Sequence, residues 1–130
     1  MQKWKPSKEV EELILRYPRL IRGRSVAGLY SRVTFYLTNF YKNGITLSDK
    51  IVLLDNSVPY KSPLSQASII FHELVHVAQY LHYGWIGFMG TYIGQWIRGG
   101  FSYEKMKEKG LENEAYALQK DFTEEVRQYA

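Results

Sequence analysis

Cysteine is absent from the 130 residues. Disulfides and thiolate metal ligands are therefore excluded, and a metal site here has to be built from histidine and carboxylate. Histidine is itself scarce, with three residues, two of them in one short motif. No internal repeat or low-complexity segment occurs, which argues against a solenoid or an interdomain linker. A signal peptide is not expected, because the stretch after Lys8 is interrupted by Glu9, Glu11, Glu12 and Arg16 and no small-residue cleavage site follows. Cytoplasmic residence is the default expectation, with non-classical export left open. From Val77 to Ile97 there are 21 residues without Asp, Glu, Lys or Arg. That length would suit a membrane span. Gln79, His82, Gln95 and glycines 84, 87, 90 and 94 fall inside it, so we expect no span.

What is present fits a packed globular chain. Hydrophobic residues make up 45% and aromatics 15%, enough for a core in a single domain of residues 1–130. The net charge of +4 is unevenly placed: residues 1–42 carry nine Lys/Arg against three Glu, and residues 101–130 carry five against seven acids. A basic front can attract nucleic acid. No nucleic-acid motif accompanies it, so solvation or contact with the acidic C-terminal part is preferred.

Along the chain, Ser7 is placed to cap a helix over 8–16, with Val10, Leu13 and Ile14 on one face and Pro18 beyond its end. Ser25 is placed to cap a second, amphipathic helix. Val26, Leu29, Tyr30, Val33, Leu37, Phe40 and Tyr41 recur at helical intervals over about four turns, to Asn43-Gly44. Ile45–Leu47 and Ile51–Leu54 read as strands around Ser48-Asp49-Lys50, a hairpin or bent edge. After a Pro-containing loop, Ser62 or Ser65 opens a helix from about Leu64 to Tyr83, stopped by Gly84. Trp85, Phe88, Met89, Tyr92, Ile93 and Trp96 keep helical spacing, and a second core helix is preferred over an aromatic cleft wall. Residues 103–109 look charged and exposed. Leu111 opens a last helix to about Tyr129, with Leu111, Ala115, Leu118, Phe122 and Val126 on its core face. The expected fold is mostly helical α+β: residues 1–44 as a helical extension and 45–130 as the core.

The chemistry centres on Phe71-His72-Glu73-Leu74-Val75-His76-Val77-Ala78-Gln79. His72 and His76 are four apart, so on a helix both imidazoles can reach one ion. Zinc takes imidazole nitrogen and needs only three protein ligands in a catalytic site. Glu73 then lies at the metal's flank, where a general base for an attacking water belongs. The competing reading is a hydrogen-bonded histidine pair in the core. Ile69, Ile70, Phe71, Leu74, Val75, Val77 and Ala78 make the helix apolar nearly all round, and buried polar side chains need partners. A third ligand is sought in Gly110-Leu111-Glu112-Asn113-Glu114-Ala115-Tyr116. Glu112 and Glu114 are about 200° apart on a helix, so one faces the metal. Glu114 lies beside Leu111, Ala115 and Leu118, and it is the choice here.

With Asn113-Glu114-Ala115 downstream, His72-Glu73-x-x-His76 resembles the gluzincin metallopeptidases. The longer pattern, with Val77, Gln79 and Glu112-x-Glu114-Ala115-Tyr116, is similar to the small minigluzincin type. It is also similar to metallopeptidase domains of bacterial contractile-injection and toxin loci. The likeness covers roughly residues 45–125. It implies one zinc per chain held by His72, His76 and Glu114, with Glu73 as general base for hydrolysis of peptides or proteins. The larger members place an aspartate four residues after the third ligand to orient a histidine. Here that position is Leu118, leaving Asn113, Asp55 or Asn56 as substitutes. The transition-state donor is open among His82, Tyr83, Tyr103 and Tyr116. Two alternatives to an active peptidase are a zinc-stabilised binding module with a protein partner in a larger assembly, and a latent peptidase covered by residues 1–24 or 119–130.

Overall fold

A computed structural model describes residues 2–39, 43–98 and 110–130, with side chains in the long central helix described as far as Gly84. The chain opens with a short strand, β1 (Gln2–Trp4), and enters α1 (Lys8–Leu15) at Ser7. The Ser7 hydroxyl accepts from the Val10 amide at 3.3 Å, satisfying a donor that the helix itself leaves unpaired. Val10, Leu13 and Ile14 are buried on one face, as their spacing predicts. Ser25 caps α2 (Val26–Arg32) in the same way, its hydroxyl accepting from Gly28 N at 3.0 Å.

The helix expected to run on towards Tyr41 ends at Arg32. Val33 adopts extended φ/ψ, and Thr34–Thr38 form β2. Apart from Leu37, Thr34-Phe35-Tyr36-Leu37-Thr38 is built from β-branched and aromatic residues, which fit a pleated surface better than a helix. Its burial alternates, with Phe35 and Leu37 inward. Leu37 satisfied the helical spacing only because a period of two also returns to the same face after four residues. Phe40 and Tyr41 lie outside the described residues.

Among the described residues the sheet has four strands in the order β1-β2-β4-β3, with β3 at Gly44–Thr46 and β4 at Ile51–Asp55. The antiparallel β3–β4 pair is the expected hairpin, with Thr46 opposite Val52. The other two strands come from the stretch expected as a helical extension. β2 pairs parallel with β4, Phe35 opposite Val52, and β1 pairs antiparallel with β2. Parallel neighbours need a long connection, which here contains β3.

A 3-10 turn at Val58–Tyr60 leads to α3 (Pro63–Arg98). Ser62 is its cap: the hydroxyl accepts from Ser65 N at 3.3 Å and the carbonyl accepts from Gln66 N at 2.9 Å. Gly84, with φ 75° and ψ 171°, breaks the helical path where the sequence predicts a stop, and helical backbone then resumes to Arg98. Whether the aromatics from Trp85 to Trp96 form core or cleft concerns side chains outside the described set, as do the charged residues 103–109. α4 (Leu111–Val126) closes the chain with a 3-10 turn at Arg127–Tyr129.

One core joins these elements. Ile70, Phe71, Leu74 and Val75 of α3 meet Val10 and Ile14 of α1, Val52 and Leu54 of β4, and Ala115, Phe122 and Val126 of α4. Phe71 and Phe122 stack with centroids 4.4 Å apart, and Tyr17 packs edge-on to Phe71 at 4.8 Å. This aromatic trio sets the spacing of α3 and α4 next to His72. Among the described residues no helix is long and apolar enough to cross a membrane.

Candidate metal centre

Three elements deliver the centre. α3 carries His72, Glu73 and His76, α4 runs antiparallel across it, and the edge strand β3 flanks it. All three motif side chains are buried although polar, with 7% of His72, 4% of Glu73 and 6% of His76 exposed. They are tolerated because each is partnered, and among the described residues no buried side-chain nitrogen or oxygen lacks one.

His72, His76 and Glu112 converge. Each offers a ligand atom, and these atoms all lie within 4.8 Å of one another. Glu112 Oε1 sits 3.4 Å from His72 Nε2 and in closer contact with His76 Nε2. Two ligands on a tetrahedral ion at about 2.0–2.1 Å are separated by roughly 3.3 Å. The donor set, two imidazole nitrogens and a carboxylate oxygen, fits a divalent metal in chemistry, and the His72–Glu112 separation matches that of two ligands on one ion. His72-Glu73-x-x-His76 with a distal glutamate in a small α+β domain is a gluzincin-type arrangement, and such a cluster is consistent with catalytic zinc-peptidase chemistry.

The distal glutamate in this cluster is Glu112, where the sequence pointed to Glu114. Glu114 is not among the three clustered residues. Its Oε1 accepts from Arg22 Nε at 2.9 Å and from Gln79 Nε2 at 2.9 Å. On α4 both glutamates lie roughly 80° from the middle of the apolar stripe, on opposite sides, so apolar spacing alone cannot choose between them. The polar residues can. Ser68, His72 and His76 recur every four residues on α3, and Thr123, Gln119 and Glu112 lie on one side of α4. The antiparallel helices match them pairwise: Ser68 Oγ to Thr123 Oγ1 at 2.8 Å, His72 Nδ1 to Gln119 Oε1 at 3.0 Å, and His76 to Glu112. That polar ladder separates Glu112 from Glu114 once the two helices are paired.

The groups orienting the histidines are also not the ones proposed from sequence. Asn113 is exposed, Asp55 accepts from Ser57 N at 2.9 Å, and Asn56 Nδ2 donates to Asn39 Oδ1 at 2.7 Å. Two glutamines serve instead. Gln79 is fully buried, and its Nε2 donates to Leu111 O and to Glu114 Oε1, both at 2.9 Å. Those two acceptors fix the orientation of the amide, so Gln79 Oε1 is the atom facing His76 Nδ1 at 2.7 Å. An amide oxygen only accepts, so His76 carries a proton on Nδ1 and turns Nε2 towards Glu112. Gln119 Oε1 makes the equivalent contact with His72. With Glu112 in the cluster, the residue four further on is Tyr116, whose ring lies 4.5 Å from that of His72; Leu118 packs against the core.

Burial opposes charge at both partners of the His76–Glu112 contact, and pairing outweighs it at both. The Glu112 carboxyl is held far below the usual carboxylate range by its hydrogen bonds to His72 and His76. His76 is raised by the hydrogen bond to Glu112 and by the nearby charges of Glu73 and Glu112. Glu73 lies beside the cluster and is not one of its three ligand residues. Thr46 Oγ1 of β3 donates to its Oε1 at 2.9 Å and lies 3.1 Å from its carbonyl. The arrangement can hold a divalent cation on three ligands and keep a fourth, anchored carboxylate beside it. The chain matches no protein-family model, no curated protein and no solved structure.

Proposed function

We propose that the protein is a zinc-dependent peptidase in which His72, His76 and Glu112 hold one zinc ion and Glu73 is the general base. The observation that supports it is the convergence of three ligand atoms within 4.8 Å, with Glu73 beside them and outside the ligand set. When bound, zinc supplies Lewis acidity towards a peptide carbonyl and towards water. Glu73, oriented by Thr46, takes the proton of the attacking water and passes it to the leaving amine. Of the candidate transition-state donors, Tyr116 is favoured by its ring contact with His72, whereas the Tyr83 hydroxyl is 3.4 Å from an Arg22 nitrogen. Tyr103 lies outside the described residues. The substrate is a peptide or an unfolded protein.

The test is Glu73→Gln. Zinc content should match the parent, and cleavage of an unfolded protein should fall by about 10²–10⁴-fold. Unchanged cleavage would remove Glu73 from the reaction.

A second reading is supported by the burial of all four site residues, since Glu112 is also only 6% exposed. A peptide needs access that such a site restricts, which favours a latent hydrolase or a zinc-stabilised module with a protein partner. Zinc bound at one per chain with no cleavage by the parent would select this reading.

A further inference from the structure

Arg22 is the one non-glycine residue with positive φ among the described residues, at 50°, followed by Gly23 at 78°. Ile21 and Arg24 exchange backbone hydrogen bonds of 2.8 and 3.0 Å around them, closing a tight turn. Both central residues of such a turn occupy left-handed space, where asparagine, aspartate or glycine is favoured and a long side chain is strained. A strained residue persists when its surroundings over-determine it. The surroundings of Arg22 are specific. Its Nε donates to Glu114 Oε1 at 2.9 Å, and its guanidinium lies 5.0 Å over the Tyr83 ring.

From Glu114 the contacts lead inward without a gap. The oxygen that accepts from Arg22 also accepts from Gln79 Nε2, and Gln79 Oε1 meets His76 Nδ1. We propose that Arg22 and Glu114 are positioning residues, which lock the Gln79 amide and through it hold His76 in its metal-ligating orientation. The inference rests on the metal-site reading above. It gives Glu114 a role through another residue, and it connects the turn after α1 to the centre. Outer contacts of this kind typically change metal affinity by about 10–100-fold when lost.

Zinc affinity is measured by competition with a chromophoric chelator, beside the melting temperature of the metal-free protein. Four proteins are compared: the parent, Arg22→Gly, Glu114→Ala and Glu114→Gln. Arg22→Gly removes the guanidinium and the left-handed strain together. It should weaken zinc binding by about tenfold while the metal-free melting temperature changes little. Glu114→Ala should weaken binding by about 10–100-fold. Glu114→Gln keeps an oxygen that accepts from Gln79 and should stay within about threefold of the parent. Three outcomes overturn the inference. The first is parent-like affinity in both Arg22→Gly and Glu114→Ala. The second is a loss in Glu114→Gln as large as in Glu114→Ala, which would make the carboxylate a ligand or a purely electrostatic contributor. The third is affinity that only follows metal-free stability, which marks a structural contact. If the parent binds no zinc, the metal-site reading itself fails, which is a distinguishable result.

Discussion

At the residue scale, the centre depends on which atom each polar side chain presents. Gln79 shows this most directly: two acceptors fix its amide nitrogen, so its oxygen is committed to His76. Thr46 does for Glu73 what Gln79 does for His76, from a different element. Thr46→Val keeps the shape and removes the donor. We expect zinc content unchanged and kcat reduced by about tenfold, read by steady-state kinetics; an unaltered kcat would show that Glu73 needs no support from β3. Tyr116→Phe should likewise keep zinc and lower kcat with little change in KM, if its phenol serves the transition state. The histidines, Glu73 and the general region of the third ligand were legible from five residues and a downstream Glu-x-Glu. The choice between the two glutamates was not, because both border the apolar stripe of α4. Only the polar register of Ser68, His72 and His76 against Thr123, Gln119 and Glu112 separates them.

At the element scale, two contacts hold the parts in place. Gly44 starts β3 so close to β4 that a Cβ there would lie 2.9 Å from Leu54 Cδ2, 3.0 Å from the Leu53 carbonyl and 3.4 Å from Glu73 Cγ. The Leu53 carbonyl is backbone and cannot rotate away. Gly44→Ala should therefore push β3 outward and cost about 1–3 kcal/mol, measured by denaturant unfolding, with loss of activity beyond the loss of folded protein because Thr46 moves with the strand. The second contact ties the end of α1 to α4. Tyr17 OH donates to Asp121 Oδ2 at 2.6 Å, and Arg19 joins the same oxygen at 3.1 Å. Burial, then the bond to Asp121 and its charge, push the Tyr17 phenol up to about 12 from 10.0. A phenol raised on folding stabilises the native state fully below its unfolded value, and that contribution is lost as pH rises through the folded one. Stability should fall between about pH 10 and pH 12, less steeply in Tyr17→Phe, followed by melting temperature against pH. Tyr30, raised to about 12 chiefly by burial, adds to the fall and leaves a residual slope in the variant.

Helix starts were readable at this scale because Ser7, Ser25 and Ser62 cap by a local hydrogen bond. β2 was not, because Val33 and Leu37 suit both a helical and an alternating period, and only its pairing with β4 decides. β1 is three residues, Gln2-Lys3-Trp4, with no pattern of its own; the sheet defines it.

At the scale of the whole molecule, the described residues of the first 44 are structural members: β1 and β2 complete the sheet, α1 packs on α3, and Arg22 bonds to Glu114. Metal binding should consequently stabilise the entire fold. With free zinc at a hundred times its dissociation constant, stability should rise by about 2.7 kcal/mol, lost on adding a chelator and followed by thermal unfolding. An unchanged melting temperature would mean that the cluster does not bind metal in the folded state.

The most direct measurement is the zinc content of the purified protein, by elemental analysis, in the parent, Glu112→Ala and Glu114→Gln. Our account predicts about one zinc per chain in the parent and in Glu114→Gln, with little or none in Glu112→Ala. No zinc in the parent even after reconstitution, or zinc retained in Glu112→Ala and lost in Glu114→Gln, would contradict it.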